Sequence, residues 1–349
     1  MRAVTIRAYG GPEQVCVEDV PRPVLERPDD VVVALRAAAF NHLDLFVLRG
    51  LPGAMHPFPW IAGADGAGVV EAVGPAVTRV APGDAVLLNP GLWCGACEFC
   101  LAGEQSLCVS YRLLGEHLPG TFAEAVRVPE RNVEKLPAGA DWTAAAAFPL
   151  VHLTAWRMLA TRAAVRPGEV VLIWGIGGGV ALAALAIAKL LGAYVIVTSS
   201  SAEKLARARA LGADAALNHD EVDVPKQVRS LSGKRGADVV VDDVGEATWE
   251  RSLRALARGG RLVSCGATSG PMVATDVRKL FWHHWTIMGS TMGNAREFRA
   301  VTRLFAAGRL APVVDTVLPL ADARAGFERL GGGAQLGKVV LTVNAGQGA

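Results

Sequence analysis

Residues 31–38, VVVALRAA, form an almost unbroken apolar run, and residues 68–73 partly alternate apolar with polar positions. Pro82-Gly83-Asp84 supplies a turn signal before another short apolar run at 85–88. Apolar runs of this length bounded by turn residues predict strands. About the first 135 residues therefore read as a mostly β domain. At Asp141 the texture changes to an alanine-rich helical pattern, with the aspartate suited to cap it. Apolar runs then alternate with helical stretches as far as about Gly289.

The runs 170–174, 194–198, 239–242, 261–265 and 286–289, separated by stretches such as 181–191, predict βαβ units and a parallel, doubly wound sheet. A helix over 295–307 and a strand over 337–343 do not extend that repeat and are assigned back to the first domain. The expected class is α/β, with residues 1–152 and 290–349 in one domain and 153–289 in the other. A length of 349 residues, beyond the size at which one core usually keeps growing, agrees with two domains.

Residues 170–188 carry no charge and are long enough to suggest a membrane span. The glycines of Gly175-Ile176-Gly177-Gly178-Gly179 divide the stretch instead into a buried strand, a tight turn and a helix. The opening MRAVTIRAYGG has no apolar run behind its arginines, so neither a secretory signal nor a transit peptide is expected, and a cytoplasmic setting is. A formal charge of +2 without long basic runs argues against nucleic acid or a membrane surface as partner and favours a small-molecule substrate.

Four of the six cysteines, Cys94, Cys97, Cys100 and Cys108, fall within fifteen residues as C-x2-C-x2-C-x7-C. That spacing lets four thiolates surround one tetrahedral zinc ion, and a site closed by four sulfurs is structural. Two disulfides or four idle thiols are the alternatives; a cytosolic chain disfavours the first, and chance rarely gathers four of six cysteines in fifteen residues. Cys16 and Cys265 are isolated in apolar surroundings and read as small core residues.

Gly175, Gly178 and Gly179 lie between a predicted strand and helix, where backbone N–H groups can approach a pyrophosphate. The spacing departs from strict G-x-G-x-x-G, with Ala181 near the place of a packing glycine. The second strand ends in Thr198-Ser199-Ser200-Ser201 and offers no carboxylate to repel a 2′-phosphate. Ser199 and Ser200, with Lys204 or Arg207 a turn later, suit that phosphate, so NADPH is favoured over NADH. The plain alternative is a helix cap beside solvated basic residues.

Taken together, AAAFNHLD at 37–44, GADGAGVVEAVG at 63–74, the four-cysteine lobe, GATSG, GSTMG and GKVVL resemble the medium-chain dehydrogenase/reductase family, in the family's order and over essentially the whole chain. The resemblance implies a GroES-like catalytic domain interrupted by a Rossmann domain. It adds Thr154, Val180, Cys265, Gly266, Ser290 and Thr291 to the expected cofactor contacts, and implies a homodimer or homotetramer. Alcohol-oxidising members hold a catalytic zinc on Cys, a His-Glu pair and a further Cys or acid. Here Asn41, Ala64, Asp65 and Leu150 stand there, and Leu43 replaces the hydroxyl residue that relays the alcohol proton. One carboxylate cannot build a three-ligand site.

The expected activity is NADPH-dependent reduction of an activated C=C bond or a quinone, with Asn41 and His42 as the groups that polarise the acceptor. Glu116, His117 and His152 are weaker candidates. One rival is an alcohol or aldehyde dehydrogenase with atypical ligands; another is an NADPH sensor with little turnover. His283 and His284, adjacent on an expected strand, would point to opposite faces and are rejected as a metal pair. Trp282 and Trp285 beside them read as packing or dimer contacts.

Overall fold

The computed structural model describes residues 1–51 and 55–343. They fall into two compact units, Met1–Leu150 with the chain from Asn294, and Val151–Gly293.

The strand Asp30–Ala39 is the spine of the first unit. It pairs antiparallel with Asp65–Val73, Ala125–Pro129 and Lys338–Thr342. Its residues are nearly all buried, which is why it reads as one apolar run and not as an alternation. Phe40, Phe122 and Phe327 pack beside it, with ring centroids 4.5 Å apart for Phe40–Phe122 and 5.1 Å for Phe40–Phe327. Gly63 must be glycine here, because its φ is +97° and a Cβ would lie 2.4 Å from the Phe122 ring.

The second unit is a six-stranded parallel sheet. In chain order its strands are Val170–Ile173, Tyr194–Ser199, Ala215–Asn218, Ala237–Val241, Leu256–Ser264 and Thr286–Gly289, and in space they run 3-2-1-4-5-6. That order reverses direction beside the first strand, so the carboxyl ends of the strands form the crevice in which such sheets bind dinucleotides. The stretch 170–188 divides into a strand and the helix Gly179–Leu190, and among the described residues no helix is long and apolar enough to cross a membrane.

Several local expectations need correction. Ala215–Asn218 and Val314–Pro319 are strands too short or too mixed to have been predicted. His283 and His284 are not on a strand. Asp276 caps the helix Val277–Trp282, His283 ends it, and His284 turns the chain at φ 55° before the strand starts at Thr286. Trp285 donates Nε1–H to Ala257 O at 3.0 Å and packs on the sheet's core, whereas Trp282 is 65% exposed.

Candidate functional site

The four cysteines converge as their spacing predicts. Each offers a sulfur, and the four sulfurs all lie within 4.8 Å of one another. Cys94 Sγ and Cys100 Sγ are 3.9 Å apart, close to the roughly 3.8 Å edge of a tetrahedron with 2.3 Å zinc–sulfur bonds. Backbone N–H groups of Ala96 and Cys97 point at Cys94 Sγ, and that of Ser110 at Cys108 Sγ. N–H groups of Cys100 and Val109 also draw the Cys97 thiol down to about 6, whereas burial pushes Cys100 up to about 12. The donor set and its geometry fit one closed tetrahedral ion with no position left for a reactant.

The second centre joins the ends of three strands. Ala39 pairs with Asp65 across one side of the spine and with Val340 across the other. Asn41 follows Ala39, and Lys338 opens the strand that carries Val340. Lys338 Nζ donates to Asn41 Oδ1 at 2.5 Å and to Asp65 Oδ2 at 2.9 Å. Asn41 Nδ2 donates to the same Asp65 oxygen at 3.0 Å, and the Leu150 N–H donates to Asp65 Oδ1 at 2.9 Å. Both carboxylate oxygens are thus engaged by protein donors. Asp65 is fully buried and Lys338 is 3% exposed.

Asn41 is also the N-cap of the helix His42–Arg49, and Asp44 in its first turn accepts the N–H groups of Asn41 at 2.7 Å and Gly63 at 3.0 Å. Burial pushes the Asp44 carboxyl up to about 7, against the pull of these N–H groups and of Lys338. The second Nδ2 hydrogen of Asn41 makes only a 3.4 Å contact with Ala39 O, and is the one an acceptor could take over. His42, the first residue of the helix, lies edge-on to Phe46 at 5.5 Å. Its pKa is lowered by the surrounding protein and then by Arg49.

Lys338 and Asp44 were not singled out from the sequence. Nor was His56, whose Nδ1 meets the Tyr9 hydroxyl at 2.9 Å and whose Nε2 meets Glu116 O at 2.7 Å. Glu116 is raised by burial, and His117 Nδ1 accepts the Leu113 N–H at 3.2 Å. His152 is buried within the helix Pro149–Trp156.

In the second unit the expected cofactor residues gather at the carboxyl ends of the strands, apart from Thr154. The Gly175 N–H donates to Thr198 Oγ1 at 3.2 Å, and the helix opens at Gly179 and Val180 behind the N-cap Gly178. A Cβ on Gly177, where φ is +154°, would lie 3.2 Å from Lys204 Nζ, so that ammonium rests over the glycine turn. The cap of the next helix is Ser201, which accepts the Lys204 N–H. Ser200 is left exposed, and buried Ser199 accepts the Ser201 N–H.

Cys265 and Gly266 follow the fifth strand, Ser290 and Thr291 the sixth. Burial, and then the charge of Asp243, hold the Cys265 thiol protonated, which fits a packing role. Ser290 Oγ, Trp174 Nε1 and His219 Nδ1, which follow the sixth, first and third strands, are buried without a hydrogen-bond partner among the described residues. Orphaned polar atoms there suit a site completed by a polar ligand. Thr154 Oγ1 lies 3.6 Å from Met292 Sδ, just past Thr291.

Two family models match the chain: an alcohol dehydrogenase GroES-like domain over residues 27–138 and a zinc-binding dehydrogenase over 179–307. The acryloyl-coenzyme A reductase of Metallosphaera sedula is 32% identical over 344 residues, covering 98% of this chain and 100% of the relative. An alcohol dehydrogenase of Geobacillus stearothermophilus is 31% identical over 346 residues, covering 99% of this chain and 100% of the relative. Among solved structures, one titled as an NAD-dependent alcohol dehydrogenase superposes with a TM-score of 0.94 at 48% identity, covering 98% of this chain and all of that one.

Proposed function

Because this chain belongs to the medium-chain dehydrogenase/reductase family and is an oxidoreductase, we propose that it uses NADPH to reduce a C=C bond conjugated to a carbonyl, or a quinone, without a catalytic metal. One observation carries the reading. Asp65, the only carboxylate among the side chains at the catalytic-metal positions, has both oxygens committed to Lys338, Asn41 and the Leu150 N–H. Asn41 contributes an amide, Ala64 a methyl group and Leu150 an alkyl chain, which is not a zinc ligand set. The Metallosphaera sedula relative, named for an enoyl thioester, supports the same chemistry.

NADPH, when bound, supplies the hydride. The loosely held Nδ2 hydrogen of Asn41 is the donor we assign to the acceptor's carbonyl oxygen, where negative charge would develop as the β-carbon is reduced. A proton from solvent water, acting as the weak acid, would then complete the α-carbon. Lys338 acts one step back, drawing electron density from the amide through Oδ1. Zinc on the four cysteines holds the loop and takes no part in the reaction.

A second reading, NAD-linked alcohol oxidation, is favoured by the 48%-identical structure. Zinc per chain by elemental analysis, with turnover of NADPH on an enone, a quinone, an enoyl thioester and an aldehyde, separates the two. The expected result is one zinc with alkene or quinone turnover. Two zincs with aldehyde turnover would overturn the proposal.

The cofactor preference rests on Ser199, Ser200 and Lys204 in place of a carboxylate. Lys204→Ala is expected to raise KM for NADPH by about 10- to 100-fold, the loss of one charge-assisted hydrogen bond, and to leave KM for NADH nearly unchanged. Equal effects on the two cofactors would remove Lys204 from the 2′-phosphate site. We place the protein in the cytoplasm, where free thiols are kept reduced. We further assign a second copy of the chain to the open edge strand Thr286–Gly289, beside which Val277, Phe281 and Trp282 lie exposed.

A further inference from the structure

A cavity of about 650 Å³ opens in the first unit, and no residue of the Lys338 centre lines it. Its walls come from the cysteine lobe, from the stretch 21–30 and from the strand Ala125–Pro129. It gathers three guanidinium groups, of Arg112, Arg127 and Arg131, beside the apolar side chains of Leu114, Leu118 and Val128. We propose that this cavity is a second binding site, for an organic anion. A carboxylate or phosphate head meets Arg112 and Arg131, and an apolar body lies on the two leucines and the valine. The site is separate from the reduction chemistry and does not depend on it.

The three arginines differ in what already holds them. Arg127 is committed: its Nη1 donates to Val24 O at 3.0 Å, and its guanidinium pairs with Glu26 and, at 3.6 Å, with buried Asp30. Arg131 pairs with no acid among the described residues. Its Nη2 donates to Trp93 O at 2.8 Å, the group lies 5.6 Å from the centroid of the Trp93 ring, and its Nε–H is buried without an acceptor. Arg112 is exposed and likewise has no acidic partner among the described residues. Two guanidinium groups without a counter-charge beside one cavity select an anion, and the planar fork of arginine suits a carboxylate or a phosphate. An inorganic ion alone would not fill the space, whose volume falls in the range of roughly 300–1,000 Å³ typical of sites for small organic molecules.

The cations are also set in place beforehand. Arg131 belongs to the turn Glu130–Asn132, and Nδ2 of buried Asn132 ties that turn to the base of the lobe through Asn89 O at 2.8 Å and Gly91 O at 2.6 Å. Arg112 lies opposite Leu92 in the pairing of Gly91–Leu92 with Arg112–Leu113. Alternation along this stretch fits the assignment, since Arg112 and Leu114 line the cavity and Leu113 does not. Backbone held in this way leaves less to be ordered when a ligand arrives.

The experiment is calorimetric titration of full-length protein, its cysteine-bound metal retained, with octanoate, octyl phosphate, octanol and inorganic phosphate. One site per chain is expected for octanoate or octyl phosphate with a Kd below about 1 mM, and binding at least tenfold weaker for octanol and for inorganic phosphate. Tighter octanoate identifies a free carboxylic acid as the ligand, and tighter octyl phosphate a phosphate ester; either supports the proposal. Arg112→Glu and Arg131→Gln are each expected to weaken binding by about tenfold or more, the loss of one charge-assisted hydrogen bond. Amide exchange with the bound probe should slow at residues 110–114 and 126–131. Absence of saturable binding below about 1 mM, octanol binding as tightly as the anions, or an affinity that Arg112→Glu leaves unchanged overturns the proposal. Should Arg131→Gln lose the cysteine-bound metal, the exposed Arg112→Glu decides alone. None of these outcomes bears on whether the Lys338 centre works without a metal.

Discussion

Lys338→Met is expected to destabilise the unit that carries it by about 3–5 kcal/mol, the cost of leaving a buried partner charge uncompensated. In thermal unfolding this amounts to a fall of roughly 6–20 °C for a unit of this size. Methionine keeps the length and most of the packing of the stem, so the loss isolates the charge. Asp65 has no route to solvent to offset it, being fully buried. Adding Asp65→Asn should restore most of the stability, because the double variant buries no unpaired ion while an amide oxygen can still accept the Leu150 N–H. A cost below about 1 kcal/mol for Lys338→Met would place the pair in the class of solvent-screened ion pairs and contradict the buried geometry.

The second large effect is expected at the cysteine lobe. Stripping its metal with a chelator, or replacing buried Cys100 by serine, should unfold the lobe locally while both sheets persist. The reason is the scarcity of other support. The lobe's own apolar cluster is Trp93, Cys100 and Cys108, with Cys97, Tyr111 and Ala295 packed against it, and its β-structure is the two-residue pairing of Gly91–Leu92 with Arg112–Leu113. Structural zinc in isolated fingers supplies on the order of 10–16 kcal/mol of folding free energy, and a lobe this poor in core depends on a similar source. Amide exchange should therefore accelerate by orders of magnitude at residues 94–111 and little in the strand Asp30–Ala39. Uniform protection before and after chelation would mean that the cysteines do not hold a structural ion.

The parts of this architecture that could be read from sequence are those encoded locally. A buried parallel strand announces itself as a short apolar run, and a glycine turn between strand and helix is visible in five consecutive residues. Four cysteines in fifteen residues carry their geometry in their spacing. The Lys338 centre has no local signature, since Asn41 and Asp65 lie 297 and 273 residues away and meet it only through strand pairing. Its one signal was a lysine at the head of an otherwise apolar strand, in GKVVL, which was read as a landmark and not as part of the site. His283 and His284 misled for a related reason. Whether WHHW begins a strand or ends a helix depends on the cap at Asp276 six residues upstream of Trp282, not on the tetrapeptide itself.

The pairing of Lys338–Thr342 with Asp30–Ala39 also orders events in time. During synthesis the spine and the strand bearing Asp65 emerge first, and more than two hundred further residues follow before their cation is made. Until then Asp65 can meet the Asn41 amide and the Leu150 N–H but has no counter-charge, so the first unit can collapse early but cannot seal. Completion of the chain is thus coupled to the centre itself: a chain that stops short of Lys338 is expected to leave a buried carboxylate without its counter-charge and the spine without one of its partner strands.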